Sequence, residues 1–217
     1  MNPVLLKVGQ FALTAVVGYV SGSIPSGVLA GKLFGNVDPR QHGSGKTGAT
    51  NILRTLGPRA AIAVALMDVL KGVVPVLLAR FLLFRDVGIF TPPELWGETV
   101  AGYAALLGHN YSMFIGFRGG RGVATGGGAT LAMQPLTVLF GAVGLILPVW
   151  LTKYVSLGSI VAAATCAVTD AVLVALRIDY LPHLVFIAGG AAVVIYAHRD
   201  NIVRLVNGTE RKLGQKA

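Results

Sequence analysis

Long apolar runs are the feature that most restricts what this chain can fold into. A helix needs roughly 20 mostly apolar residues to cross a hydrocarbon core about 30 Å thick. Five stretches meet that length, and they lie near residues 4–33, 57–84, 95–116, 156–176 and 180–197. Because 54% of the residues are hydrophobic and only 12% are charged, too little polar surface remains to cover a soluble globule. The sequence therefore predicts an all-α integral membrane protein with a single domain over residues 1–217.

The apolar segment from Gly122 to Leu151 is too long for one comfortable span. Gln134 and Pro135 interrupt it, and a proline removes a backbone donor and disfavours continuation of the helix before it. We therefore expect a short helix followed by a full one, which gives seven transmembrane helices. The N-terminal apolar run has no small-residue cleavage site after a short apolar core, so we expect it to remain as the first span.

The loop charges orient this seven-span arrangement. One face receives most of the basic residues, which are Lys32, Arg40, Lys46, Arg54, Arg59, Arg118, Arg121, Lys153, Arg199, Arg204, Arg211, Lys212 and Lys216. The other face receives Lys7, Arg80, Arg85 and Arg177, with the acids Asp86, Glu94, Glu98 and Asp179. By the positive-inside rule the first face is cytoplasmic, which puts the N-terminus outside and a short tail from about residue 198 in the cytoplasm. Six crossings would weaken this charge bias.

The first polar loop combines glycines with groups that bind phosphate. It reads GSGKTGATN over residues 43–51 and is followed by Arg54. Glycines let backbone amides approach an anion closely, and hydroxyl and guanidinium groups complete a phosphate cage. The loop ends like a nucleotide P-loop, but the first glycine of that motif would fall at Arg40, and no strand precedes it. We therefore exclude an ATPase and keep a phosphate-binding loop in preference to a flexible connector.

Two further segments have the same chemistry. The first, GFRGGRGVAT over residues 116–125, feeds a glycine turn into a helix N-terminus, where free N–H groups and the helix dipole favour phosphate. Its arginines also suit simple anchoring at the cytoplasmic boundary. The second begins at His198, and on a helix His198 and Asn201 lie along one face and can reach one ligand. Its remaining basic residues suit contact with anionic lipid.

Several polar residues lie within apolar runs and need partners there. Asp68 and Lys71 are three apart on one helix and can neutralise one another. We expect His109 and Asn110 to brace the second glycine segment, and Cys166, the one cysteine of the chain, to act as a packing residue. Asp170 has no partner within its own helix.

Taken together, G-S-G-x-x-G-A-T-N-x-x-R, G-F-x-G-G-x-G-V-A-T and H-R-x-N-I-x-R-L-x-x-G-x-E resemble the bacterial acyl-phosphate-dependent glycerol-3-phosphate acyltransferases, the PlsY family. The motifs follow one another in the right order over nearly the whole chain. The resemblance implies transfer of a fatty acyl group from acyl phosphate to the 1-hydroxyl of glycerol 3-phosphate. The products would be lysophosphatidate and phosphate, in the first step of phospholipid synthesis at the bacterial inner membrane. It further implies that the active site faces the cytoplasm and that the enzyme is a monomer. The reaction would require no cofactor, metal, acyl carrier protein or coenzyme A, and the protein would not bind nucleic acid.

The resemblance also assigns site residues. Ser44, Arg54, His198 and Asn201 would be catalytic and, with Arg121, would hold the phosphate of glycerol 3-phosphate. The further substrate-binding residues would be Gly43, Gly45, Gly48, Thr50 and Asn51 in the first loop, and Gly119, Gly120, Gly122 and Ser159 towards acyl phosphate. One departure is informative, because the family commonly has lysines where Arg118 and Arg121 stand here, and arginine presents a planar fork instead of a point charge.

Acyl phosphate is already activated, so the enzyme needs only to orient the hydroxyl and to stabilise developing charge. The phosphate of the substrate would accept the hydroxyl proton, or His198 would act as the general base. The principal alternative is an organic-phosphate transporter, which predicts repeated halves and a site near the midplane. The sequence has no internal repeat, and its three motifs lie at span ends, which favours the acyltransferase. A lipid-binding scaffold would leave Ser44, Asn51 and Asn201 without a purpose.

Overall fold

The structure, a computed structural model, describes residues 2–84 and 92–215, and that part of the chain contains ten α-helices and no strand. The helices are α1 (Pro3–Ser23), α2 (Ser26–Phe34), α3 (Ala49–Leu56), α4 (Pro58–Leu78), α5 (Pro92–Asn110), α6 (Val123–Met133), α7 (Pro135–Thr152), α8 (Val155–Ala175), α9 (Leu181–Ala197) and α10 (Arg199–Val206). A π-helical turn, Ala79–Leu83, continues α4. Of the charges used to orient the chain, Arg85, Asp86, Lys216 and the side chain of Glu94 fall outside the described residues.

The apolar lengths agree with an integral membrane protein. Four helical stretches are long and apolar enough to cross a bilayer, namely Val4–Phe34, Pro58–Leu83, Pro135–Thr152 and Val155–Ala175. A fifth is added if α9 is counted together with α10, to which it is bent by 58°. Large apolar side chains cover the outer faces, and Leu139 and Val168 are each 65% exposed, which requires a lipid environment. The count of seven and the orientation of the termini remain predictions.

The predicted break at Gln134 and Pro135 is confirmed. Helix α6 ends at Met133, Gln134 adopts an extended conformation, and Pro135 begins α7. A proline is tolerated at the first position of a helix because its missing N–H has no intrahelical partner there. A second break, which was not predicted from the sequence, lies between α1 and α2, where Ile24 has a non-helical conformation and Pro25 is the N-cap of α2. Proline lacks a backbone N–H and disfavours a helical conformation in the residue before it.

A buried ion pair supports the break at Pro25. Lys71 Nζ lies 2.8 Å from Asp68 Oδ1, and both side chains are almost fully buried. Lys71 also donates to the carbonyl oxygen of Ile24 at 3.1 Å, and Ser26 donates to Asp68. The pairing predicted for Asp68 and Lys71 is therefore confirmed. Lys71 thus gives the Ile24 carbonyl a second donor beside the N–H of Ser26, at a helix break where a membrane interior offers no water to bond the backbone.

Small residues allow the helices to approach closely. Helix α1 packs along α5, α4 along α6, and α7 along α8. At Gly22 a Cβ would come within 2.0 Å of the Ala105 carbonyl oxygen, so α1 and α5 meet backbone to backbone, as small-residue interfaces permit in membranes.

The two ends of the helix bundle carry different groups. At one end, Arg80 makes a two-pronged ion pair with Glu98 at 2.6 and 2.8 Å, and His183 lies 2.7 Å from Asp179. At the other end, α3, the end of α5 and the start of α6 meet the junction of α9 and α10 around one cavity. The three glycine-rich or basic motifs converge at this second end.

Candidate functional site

One cavity of about 840 Å³ is lined by residues from all three motifs. Its wall includes the following predicted site residues: Gly43, Ser44, Gly48, Thr50, Asn51, Arg54, Arg121, Gly122, Ser159, His198 and Asn201. Gly45, Gly119 and Gly120 are not in this wall. Segments far apart in the chain thus form a single polar chamber, and the roles assigned to the individual residues remain predictions.

Asn51 gives the first loop its shape. Its two amide N–H groups are shared among the carbonyl oxygens of Pro39, His42 and Lys46, which lie 2.9 to 3.1 Å from Nδ2. Its Oδ1 accepts from the backbone N–H of Ser44 at 2.9 Å. Asn51 is buried, with 2% relative exposure. The structure therefore gives Asn51 a positioning role, because its polar atoms are used within the loop.

Arg54 extends from the last turn of α3 towards the third motif. Its Nη2 donates to the backbone carbonyl of Arg211 at 3.2 Å, and its buried Nε has no partner among the described residues. Burial lowers the pKa of Arg54, Glu210 opposes that shift, and Arg211 and Arg204 add to it. The guanidinium stays charged because its ordinary pKa is so high. The result is a partly desolvated cation with an uncommitted donor, which suits a phosphate.

The second glycine segment lies against the end of α5. The amides of Gly119 and Gly120 donate to the carbonyl oxygens of Asn110 and His109, each at 3.1 Å. A Cβ on Gly119 would come within 1.9 Å of the His109 carbonyl oxygen. The predicted bracing by His109 and Asn110 is therefore confirmed, and it is made by their backbones. Gly119 and Gly120 do not line the cavity but pack against His109, and the absence of their side chains lets the segment lie close to the end of α5.

Arg121 is held in place by the helix on the far side of the cavity. Its Nε donates to the carbonyl oxygen of Ala197, the last residue of α9, at 3.2 Å. Gly122, the next residue, has a φ of 80° and is the N-cap of α6. Burial lowers the pKa of Arg121, and Arg204 adds to that effect against Glu210 and Asp200. Arg118, by contrast, is exposed and does not line the cavity.

His198 lies between α9 and α10 with a fixed ring orientation. Its Nδ1 is 2.8 Å from the carbonyl oxygen of Val194, and since a carbonyl only accepts, Nδ1 carries the hydrogen. Burial lowers the pKa of His198 to about 4, Val194 opposes that shift, and the charge of Arg121 reinforces it. The neutral ring therefore offers Nε2 as an acceptor, which suits a hydroxyl group better than a phosphate oxygen.

Glu210 connects the third motif to α8. Its Oε1 accepts from Asn201 Nδ2 and from Ser156 Oγ, both at 2.7 Å, and its Oε2 accepts from Arg204 Nε at 2.7 Å. Burial raises the pKa of Glu210, but these three hydrogen bonds outweigh burial and hold it below its ordinary value. Asn201 Oδ1 is buried without a partner among the described residues. Glu210 therefore fixes the amide of Asn201 while leaving its acceptor to the cavity.

No role in the site was predicted for Lys46, Ser156, Arg204 or Glu210, and all four line the cavity. Two signals pointed to Glu210: it is the final residue of the third motif, and it is an acid within a basic tail, where a carboxylate finds cationic partners. No local pattern indicates Ser156, whose contact with Glu210 spans 54 positions of sequence. Burial lowers the pKa of Lys46, and the nearby charges of Arg121 and Arg199 add to that effect against Asp200.

Below the polar chamber the cavity continues as an apolar arm between α6, α7, α8 and α9. Its walls are Leu131, Val138, Gly141, Ala142, Leu145, Ala162, Ala163, Cys166, Phe186, Ile187, Gly190, Ala191 and Val194. Ser159 lies near the boundary between chamber and arm, and its hydroxyl donates to the carbonyl oxygen of Val155 at 2.9 Å. A chamber rich in phosphate-binding groups that opens into an apolar arm is shaped for an amphiphile with an anionic head.

Comparisons with known proteins agree with this chemistry. Residues 12–208 match the family model described as glycerol-3-phosphate acyltransferase. The chain is 44% identical over 215 residues to the glycerol-3-phosphate acyltransferase of Clostridioides difficile (strain 630), with 97% of this chain and 99% of the relative covered. It is 43% identical over 209 residues to that of Symbiobacterium thermophilum, with 96% and 97% covered.

Two solved structures share the fold. Both are crystal structures of PlsY (YgiH), an integral membrane glycerol 3-phosphate acyltransferase. The glycerol 3-phosphate form has a TM-score of 0.82 and 36% identity, with 94% of this chain and 96% of that chain covered. The lysophosphatidic acid form has a TM-score of 0.79 and 37% identity, with 94% and 95% covered.

Proposed function

This chain belongs to the glycerol-3-phosphate acyltransferase family and is a membrane glycerol-3-phosphate acyltransferase, and we propose that it takes its acyl group from acyl phosphate. The supporting observation is the single cavity in which a chamber lined by Arg54, Arg121 and Lys46 opens into an apolar arm. An acyl phosphate has both parts, an anionic head and a hydrocarbon chain. Such a donor needs neither acyl carrier protein nor coenzyme A.

The acceptor would bind in the polar chamber. Ser44, Arg54 and Arg121 supply donors and positive charge for the phosphate of glycerol 3-phosphate. The Nε2 of neutral His198 accepts a hydrogen bond from a glycerol hydroxyl, and Asn201, oriented by Glu210, completes the contacts. The glycerol 3-phosphate form of the related PlsY supports an acceptor of this kind.

In the reaction, the 1-hydroxyl oxygen forms a bond to the carbonyl carbon of the acyl phosphate. The bond between that carbon and the bridging phosphate oxygen breaks, and phosphate leaves with the electron pair. The hydroxyl proton passes to a phosphate oxygen, so the products are lysophosphatidate and hydrogen phosphate. The role of the enzyme is to hold both substrates in register and to stabilise the developing negative charge with its cations. The lysophosphatidic acid form of the related PlsY supports this product.

The site would face the cytoplasm of a bacterial inner membrane, with seven spans, an outer N-terminus and a monomeric enzyme. Support for the orientation comes from the basic residues, which concentrate at the cavity end of the bundle. Reagents that modify cysteine and do not cross membranes would test it on Lys212→Cys in sealed vesicles of known sidedness. Modification from the outer side of intact cells would contradict the proposed orientation.

The direct test uses the purified protein in detergent or lipid mesophase with palmitoyl phosphate and glycerol 3-phosphate, and follows both phosphate release and lysophosphatidate. We expect turnover with palmitoyl phosphate and none with palmitoyl coenzyme A. Arg54→Ala should lose activity, whereas Arg59→Ala, at an exposed position outside the cavity, should keep it. Phosphate release no greater than in the absence of enzyme would defeat the proposal.

A further inference from the structure

The cavity reaches deep into the helix bundle from the polar chamber. On α8 its wall extends from Val155, at the chamber, to Cys166, which is three helical turns or roughly 16 Å at 1.5 Å per residue. Along α9 the wall extends from His198, just beyond the end of the helix, back to Phe186, roughly 18 Å by the same measure. The chamber and the arm together are therefore longer than half of a hydrocarbon core about 30 Å thick. The apolar arm alone, from Val194 to Phe186, accounts for roughly 12 Å of that length.

Cys166 and Phe186 mark the lower end of the arm on their helices. Behind Cys166 lies a buried polar pair, in which Thr137 Oγ1 donates to Asp170 Oδ1 at 2.9 Å. Both residues have no exposed surface, and the thiol of Cys166 lies 3.8 Å from the Thr137 carbonyl oxygen. The hydrogen bond also supplies Asp170 with the partner that its own helix lacks.

This polar pair makes the floor resistant to displacement. A hydrocarbon chain pushed past Cys166 would separate Thr137 from Asp170 and leave a carboxyl group against methylene groups, which is costly. The walls above the floor are lined by small side chains, including Ala162, Ala163 and Ala191. These small side chains leave room for a hydrocarbon chain.

We infer that the floor formed by Cys166 and the Thr137–Asp170 pair sets the longest acyl chain that the enzyme transfers. This inference rests on the proposed function, because it places the acyl chain of the donor in the arm with its phosphate in the chamber. The positions of the chamber and the floor are both fixed by packed helices. The distance between them therefore limits the length of the acyl chain that fits in the arm.

The test compares wild type with Ala163→Leu and Cys166→Leu, which fill the arm at two depths. Residue 163 lies almost one turn, about 4.5 Å, above residue 166. Each purified protein receives an equimolar mixture of saturated acyl phosphates, from decanoyl to stearoyl, with glycerol 3-phosphate. Mass spectrometry then gives the chain-length distribution of the lysophosphatidate. Val168→Leu on the lipid-facing side of α8 is the matched control.

We expect Cys166→Leu to lower kcat/KM for the longest donor about tenfold or more while the shortest donor reacts within about twofold of wild type. Ala163→Leu should shift the distribution further towards short chains, and Cys166→Ala should shift it towards longer ones. Val168→Leu should match wild type. If Cys166→Leu does not fold, the opposite shifts of Ala163→Leu and Cys166→Ala decide the outcome.

An unchanged distribution in active variants would overturn the inference and would mean that the chain leaves between the helices into lipid. Equal loss of activity with every donor would overturn it too. A wild-type protein that makes no lysophosphatidate from any acyl phosphate would instead refute the proposed function, so the two failures are distinguishable.

Discussion

Asn201 donates a 2.7 Å hydrogen bond to the carboxylate of Glu210, nine positions further along the chain. The same carboxylate accepts from Ser156 and Arg204, so one acid orients three donors at the cavity wall. We expect Glu210→Gln to raise KM for glycerol 3-phosphate about tenfold, because an amide nitrogen would face one of these donors and an unmade bond costs about 1–3 kcal/mol. Initial rates at saturating acyl phosphate measure it.

Lys212→Ala is the matched control for this variant. Lys212 is an exposed residue two positions from Glu210 and does not line the cavity. A KM for Glu210→Gln equal to that of Lys212→Ala would show that Asn201 and Arg204 hold their positions without the carboxylate.

The geometry of Arg121 should matter as well as its charge. Its Nε donates to the Ala197 carbonyl oxygen. That hydrogen bond fixes the plane of the guanidinium group, so the two Nη atoms are oriented to bind a phosphate together. Lysine keeps the charge but not the fork, so we expect Arg121→Lys to lower kcat/KM for glycerol 3-phosphate about tenfold and Arg121→Ala to lower it further. Arg118→Ala, at an exposed position outside the cavity, should change it by less than about twofold. Equal losses at both positions would assign the effect to overall charge.

His198 should make stability depend on pH in a defined direction. Its pKa is about 4 in the folded protein and 6.5 ordinarily, so the unfolded chain binds more protons between those values. Stability therefore falls as the pH drops from about 6.5 to 4, by up to about 3 kcal/mol. Unfolding temperatures of wild type and His198→Gln, measured in detergent across that range, should diverge as the pH falls. Parallel curves would contradict the assignment of a neutral buried imidazole.

The glycines of the second motif should differ from those of α6 in their tolerance of alanine. A Cβ on Gly119 would meet the His109 carbonyl oxygen at 1.9 Å, whereas one on Gly127 would meet nothing within 4 Å. We expect Gly119→Ala to destabilise the protein by about 1–3 kcal/mol and Gly127→Ala to be neutral or stabilising by up to about 1 kcal/mol. Thermal unfolding of the two variants tests the contrast, which would be refuted by equal unfolding temperatures.

Features that depend on neighbouring residues could be predicted from the sequence. The break before Pro135 follows from the backbone chemistry of proline, and the Asp68–Lys71 pair follows from helical spacing. The convergence of the motifs also followed from the argument that they share one face of the membrane, although the family resemblance supplied their chemistry. The break and the ion pair involve residues that are close in sequence, and the motifs contain residue types that bind phosphate.

Features that depend on packing between distant helices could not be predicted. Nothing near Asp170 in sequence indicates Thr137 as its partner, because the contact exists only once α7 lies against α8. Gly119 and Gly120 were expected to face the substrate, and the structure instead places them against His109, because a loop pattern does not specify which side of the loop faces the ligand. Short α3 was also missed, since its single amphipathic stretch of eight residues lies within a loop rich in turn formers.

The hydrogen bonds of Asn51 affect how quickly and how tightly a phosphate binds. Ordering a flexible loop around a ligand subtracts conformational entropy from the binding energy. In this loop four main-chain contacts are already made by one buried amide, so the amide groups are arranged before a substrate arrives. The affinity for glycerol 3-phosphate should therefore carry little entropic penalty from residues 43–51, and loss of that amide would slow association as well as weaken it.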